Sequence, residues 1–101
     1  MIMRNGPDAL AIPPAAETDP QAVEIARIWA AGGKQHVSLK TGIWNDPTAW
    51  GLLLVDLAKH VANAYEQTEG RDRNEVLRRI KHGFDIEWES PTDEAKGKMT
   101  N

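Results

Sequence analysis

From position 47 to position 69 the apolar residues return every three to four places. Trp50, Leu53, Leu54, Leu57, Val61, Ala64 and Tyr65 fall on one face at that spacing, which predicts an amphipathic α-helix. Asn45 or Asp46 is placed to cap its start, and Pro47 suits a first helical turn. Gly70 marks its end, because glycine takes the left-handed conformation that closes many helices. At about 100° per residue a second apolar group emerges: Gly51, Leu52, Val55, Ala58 and Ala62. Only a narrow polar sector is left, with Asp56, Lys59, His60, Asn63 and Gln67. A helix apolar around most of its circumference has to be covered on two sides. The expectation is that the first face meets the core. The second, through Leu52, Val55, Ala58 and Ala62, meets a partner subunit.

A second helix is expected from Asp72. Asp72 at the N-cap and Glu75 three places on match the spacing of a capping box. Val76, Leu77, Ile80 and Phe84 then recur at helical intervals, and Glu75 and Arg79 make an i,i+4 pair. Gly83 leaves two readings of residues 84–89. A strand would alternate Phe84, Ile86 and Trp88. A continued helix adds Phe84 and Trp88 to the same face and stops before Pro91. The continued helix is preferred, since an interior glycine costs only about 1 kcal/mol.

Residues 22–44 are ambiguous. Asp19 and Pro20 ahead of AVEIARIWAA resemble a capped helix. Against that, Val23, Ile25, Ile28 and Trp29 favour strands, and Gly32-Gly33 signals a tight turn. Lys34 to Lys40 alternates, with Val37 and Leu39 on one side. The preferred reading is a hairpin, 24–31 paired with 34–41. Two strands alone are unstable and need a helix across one face. The expected architecture is therefore α+β, a β-hairpin packed on two helices in the order ββαα. A dimer joined at the hairpins or at the long helices would supply the missing cover.

Outside this body the pattern fades. Pro7, Pro13, Pro14 and Pro20 interrupt residues 1–21, which are expected to form an extended arm without helix or ladder. Leu10 and Ile12 are its apolar points. Residues 91–101 are polar and read as a flexible tail. One compact domain is expected over 22–90. With 101 residues in all, such a body is small for a self-sufficient core.

Composition narrows the functional classes. There are 12 basic and 15 acidic residues, for a formal net charge of −3, without the basic excess of a nucleic-acid binder. No apolar run approaches the ~20 residues of a membrane span, and Gly6, Pro7 and Asp8 break any leader-like run. Cysteine is absent, so disulfides, thiolate metal sites and thiol nucleophiles are excluded. Cytoplasmic location is the resulting expectation.

One resemblance is carried by particular residues. They are Arg27-Ile28-Trp29, Asp46-Pro47, Ala49-Trp50-Gly51-Leu52, Val55-Asp56, His60-Val61-Ala62 and Ala64-Tyr65. Ile80, Gly83-Phe84 and Pro91-Thr92 add to them. This run is similar to a small bacterial family known only as a domain of unknown function, over about two-thirds of the chain. The resemblance implies a compact single domain with no assigned activity, and it brings no catalytic residues or cofactor with it.

The candidate chemistry is sparse. Asp56 and His60 lie four apart, side by side on one helix, as an oriented base or two metal ligands would. A third ligand at helical spacing is missing, and His36 on the hairpin is the one histidine that could join them in space. Packing at a core edge or dimer boundary is the commoner role for such a pair. Arg71, Arg73, Arg78, Arg79 and Lys81 are interleaved with Glu69, Asp72, Glu75 and Asp85, which describes a solvated, self-neutralising surface. Trp44 and Trp50 flank the entry to the long helix and suit a core end, an interface or a ligand pocket. Phosphate-loop, dinucleotide and hydrolase fingerprints are absent.

The sequence therefore points to a non-enzymatic homodimeric interaction or accessory domain, with no cofactor, metal, nucleic acid or membrane. An unidentified protein is a further partner to consider. The competing expectation is a small-ligand or metal-binding protein using a cleft of Trp44, Trp50, Asp56, His60 and His36.

Overall fold

The fold is taken from a computed structural model that describes residues 8–92. In chain order it contains α1 (Pro14–Thr18), β1 (Ala26–Ala31), β2 (Lys34–Leu39), α2 (Thr48–Glu69) and α3 (Arg73–Glu89). This is the α+β class with the ββαα order the sequence implies, preceded by one short helix. Two compact units divide it, Met1–Asn45 and Asp46–Asn101. The division falls inside the 22–90 span that the sequence presents as one domain. The expectations for residues 1–7 and for 93–101 of the tail lie outside the described residues.

The first unit corrects the reading of its arm. Residues 14–18 are helical where proline was expected to forbid it. The reason is position. Pro14 sits at the first helical residue, where the missing N–H has no intrahelical partner to lose. The Pro13 carbonyl accepts from the Ala16 and Glu17 N–H groups at 2.9 and 3.2 Å.

The hairpin turns at the Gly-Gly signal. Gly32 and Gly33 both stand at positive φ, 60° and 75°, as a two-residue type I′ turn requires of its central residues. That turn fixes the register: Ala26 faces Leu39, Ile28 faces Val37, Trp29 faces His36 and Ala31 faces Lys34. Facing residues share a side of the sheet. One side is thus Ala26, Ile28, Ala30, Gln35, Val37 and Leu39, and the other is Arg27, Trp29, Ala31, Lys34, His36 and Ser38. The helical alternative for residues 22–31 does not form.

In the second unit, α2 begins with Asp46. Its carboxylate accepts the Thr48 N–H at 3.0 Å, and its carbonyl accepts the Ala49 N–H at 3.1 Å. The helix closes at Gly70 in the left-handed conformation, whose N–H reaches the Glu66 carbonyl at 3.0 Å. Asp72 then caps α3, its carboxylate accepting the Glu75 N–H at 2.9 Å. The return half of a capping box is not made. Glu75 instead pairs with Arg78 at 2.7 Å, three residues on, in place of the Arg79 pairing read from the sequence. The last helix runs unbroken through Gly83 to Glu89, so no strand forms at 84–88.

Where α2 packs on α3, burial is deepest at a small residue of the second face, while Trp50 and Leu53 of the expected core face are half-buried. Among the described residues the buried apolar side chains are Ala62 on α2 and Val76 on α3. Ala58 is half-buried, while Leu54, Leu57, Val61 and Tyr65 are exposed. Small side chains explain the choice, because they let two helix backbones approach closely. Ala62 is wholly covered within its own chain and has no surface left for a partner. Leu52 and Val55, the large residues of that proposed interface, are exposed.

Candidate functional site

The candidate residues are divided between the two units, with His36 on β2 and Trp44 beyond it in the first, and Trp50, Asp56 and His60 on α2 in the second. Asp56 and His60 occupy successive turns of α2, and the imidazole Nε2 lies 3.3 Å from the carboxylate Oδ2. Helical spacing alone brings them together. Their side chains are 67% and 72% exposed, so water screens the pair and its worth to folding is small. Chemically it offers an accessible imidazole steadied by one carboxylate. Among the described residues no group of three or more histidine or acidic side chains is placed to hold a metal ion.

Trp50 is half-buried in the first turn of α2. Trp44 is half-buried in the preceding segment, within the first unit. His36 sits on β2, its Nε2 3.2 Å from the Ala31 carbonyl, which asks that nitrogen to carry a proton. It faces Trp29 across the hairpin. Asp56 and His60 are the members of the predicted set that the structure pairs directly.

A shallow depression of about 340 Å³ opens at the end of the hairpin away from the turn, lined by Glu24, Ile25, Ala26, Arg27, Ser38, Leu39 and Lys40. None of the five predicted site residues borders it. Its charges are already matched in part, since Arg27 pairs with Glu24 at 2.9 Å. Away from this depression, Asp46 is the group with a clear electrostatic signature among the described residues. Its carboxyl is held below the ordinary value, first by the Thr48 backbone N–H and then by the Thr48 side chain.

Sequence reasoning missed how much apolar surface stays uncovered. On α2 the exposed stripe is Leu54, Leu57, Val61 and Tyr65, and on the hairpin it is Ile28, Val37 and Leu39. The available signal was the row of small residues Gly51, Ala58 and Ala62, which marks the side a neighbouring helix prefers.

The family model described as Domain of unknown function (DUF5076) matches residues 9–92. The chain belongs to this family. That agrees with the resemblance read from Trp50-Gly51-Leu52 and the residues around it. A search of curated proteins finds no match. Among solved structures, the chain is similar to one described as "a putative pyruvate dehydrogenase from the photosynthetic bacterium Rhodopseudomonas palustrus CGA009". The two are 36% identical, with a TM-score of 0.71, over 89% of this chain and 92% of the other. The two chains thus share a fold at near-equal length. Among the described residues no helix is long and apolar enough to cross a membrane.

Proposed function

We propose that this member of the family is a small, non-enzymatic homodimeric interaction or accessory domain of the cytoplasm. The observation that carries the reading is burial. Ala62 and Val76 are the buried apolar residues of the described chain, while Leu54, Leu57 and Ile28 each remain about half exposed. Fully covering a Val, Leu, Ile or Phe side chain contributes about 1.5–3 kcal/mol. Leaving so many uncovered forfeits much of what a domain of this size has to stabilise it. A second copy is the simplest cover, because a two-fold interface uses the same patch on both subunits. The absence of cysteine agrees with a reducing compartment.

The solved neighbour's description names a dehydrogenase. Support for an enzymatic reading would have to come from the site. Among the described residues the Asp56–His60 pair is largely open to water, and no third acidic or histidine side chain is grouped with it.

Light scattering on size-exclusion fractions at micromolar concentration tests the proposal. The expected mass is twice the 11.2 kDa of one chain. A monomer at that concentration overturns it. A thermal-shift screen against transition metals and metabolites tests the competing ligand-binding view, because a ligand bound only by the folded state raises the melting temperature.

A further inference from the structure

We propose that the second copy pairs through the open edge of β1, antiparallel to its own symmetry mate, to give a four-stranded sheet in the order β2-β1-β1-β2. This rests on the homodimer reading and adds the surface and register to it. Among the described residues the sheet holds only β1 and β2, and a two-stranded sheet is marginal by itself.

Hydrogen bonding shows which backbone groups are open. The Lys40 N–H donates to the Ile25 carbonyl at 2.9 Å, so residues 25 and 40 are a hydrogen-bonded pair. Such pairs alternate along an antiparallel ladder. With the observed register, Arg27, Trp29 and Ala31 point their backbone groups at β2. Ala26, Ile28 and Ala30 therefore point theirs outward. Ala26, Ile28 and Ala30 have small or apolar side chains, and among the described residues no further strand meets them.

The two edges differ in charge. On β2 the outward groups belong to Gln35, Val37 and Leu39, so the symmetric pairing centred on Val37 sets Lys34 opposite Lys40 of the other copy, twice. Like charges directly opposite destabilise a strand pair, and lysine is a common guard of free edges. On β1 the symmetric pairing centred on Ile28 sets Ile28 against Ile28, Ala26 against Ala30 and Arg27 against Trp29. That register places no like charges opposite and suits a guanidinium over an indole face. It uses every outward N–H and carbonyl of Ala26, Ile28 and Ala30. It also joins the exposed Ile28, Val37 and Leu39 of both copies on one face of the sheet.

Because the chain has no cysteine, single-cysteine variants read this register directly. Facing residues of a hydrogen-bonded pair have Cα atoms ~5.5 Å apart, within disulfide range. Under mild oxidation, Ile28→Cys is expected to form a covalent dimer in most of the protein, and Val37→Cys to form little. If the unmodified chain is dimeric but Ile28→Cys fails to cross-link, or Val37→Cys cross-links equally, the β1 edge is wrong while the dimer stands. A monomeric unmodified chain overturns both. Ile28→Pro gives a second measurement. It removes an outward N–H that the hairpin does not use, and is expected to yield a monomer with the helical circular dichroism retained. A dimer that survives Ile28→Pro argues against pairing at β1.

Discussion

Phe84 and Trp88 stack on successive turns of α3, their ring centroids 5.5 Å apart and their planes 20° from parallel. Trp88 is nevertheless 74% exposed. An aromatic pair of this kind contributes about 0.5–1.5 kcal/mol beyond simple burial. Trp88→Ala is expected to lower unfolding free energy by about that amount in urea titrations. A loss of about 3 kcal/mol or more, typical of a core tryptophan, would show that a partner covers the ring in solution.

Gly83 lies in the same helix, and a Cβ built there meets nothing within 4 Å. Its backbone is not among the positive-φ glycines. Gly83→Ala should therefore stabilise the protein by about 0.5–1 kcal/mol, visible as a higher denaturant midpoint with an unchanged slope. A destabilised variant would mean that a partner's atoms fill that space.

Asp46 supplies a dependence on pH. Its folded-state pKa is depressed by its bonds to Thr48. A depressed carboxylate stabilises the fold above its unfolded value near 3.8, and that contribution is lost as pH falls through the folded value. Asp46→Asn keeps an acceptor near the Thr48 N–H without the titrating charge. The variant is expected to show a shallower loss of helix content below pH 4 than the parent. Identical acid profiles would remove Asp46 from the account. The group is fully exposed, so the effect is confined to slope and is small.

The uncovered stripe on α2 gives the strongest expectation. Leu57→Glu changes a side chain that is 46% exposed in the single chain and should leave each chain folded. If the stripe is covered in the dimer, the charge raises the dissociation constant tenfold or more, about 1.4 kcal/mol or above. Sedimentation velocity across a concentration series measures it. An unchanged constant would leave the stripe outside the contact and the β1 edge as its site.

The readable parts of this chain are those decided locally. Asp72 and Glu75 announce the start of α3, Gly70 the end of α2, and Gly32-Gly33 the hairpin, because each acts through its own backbone neighbours. Proline at 13 and 14 misled for the same reason. Its effect depends on whether it stands inside a helix or at its first residue. The inward face of α2 was less legible. Leu54 and Leu57 are larger than Ala58 and Ala62, so hydrophobicity favours them for the core. Close approach of α3 favours the smaller pair, and spacing along the chain does not weigh the two. Asp56 and His60 were found together because four residues on a helix guarantee it. Trp44 and His36 lie in the other unit, beyond the reach of periodicity.

The tight turn at Gly32-Gly33 has a consequence for how the molecule comes together in time. A hairpin with both turn residues already suited to it closes in about 1–10 μs, and helices of this length form faster still. Two chains at micromolar concentration meet productively on the order of once per 0.1–10 s. The local elements therefore form and re-form many times before the encounter that covers them. Renaturation followed by tryptophan fluorescence is expected to show a fast phase indifferent to protein concentration, then a second whose rate climbs in proportion to it.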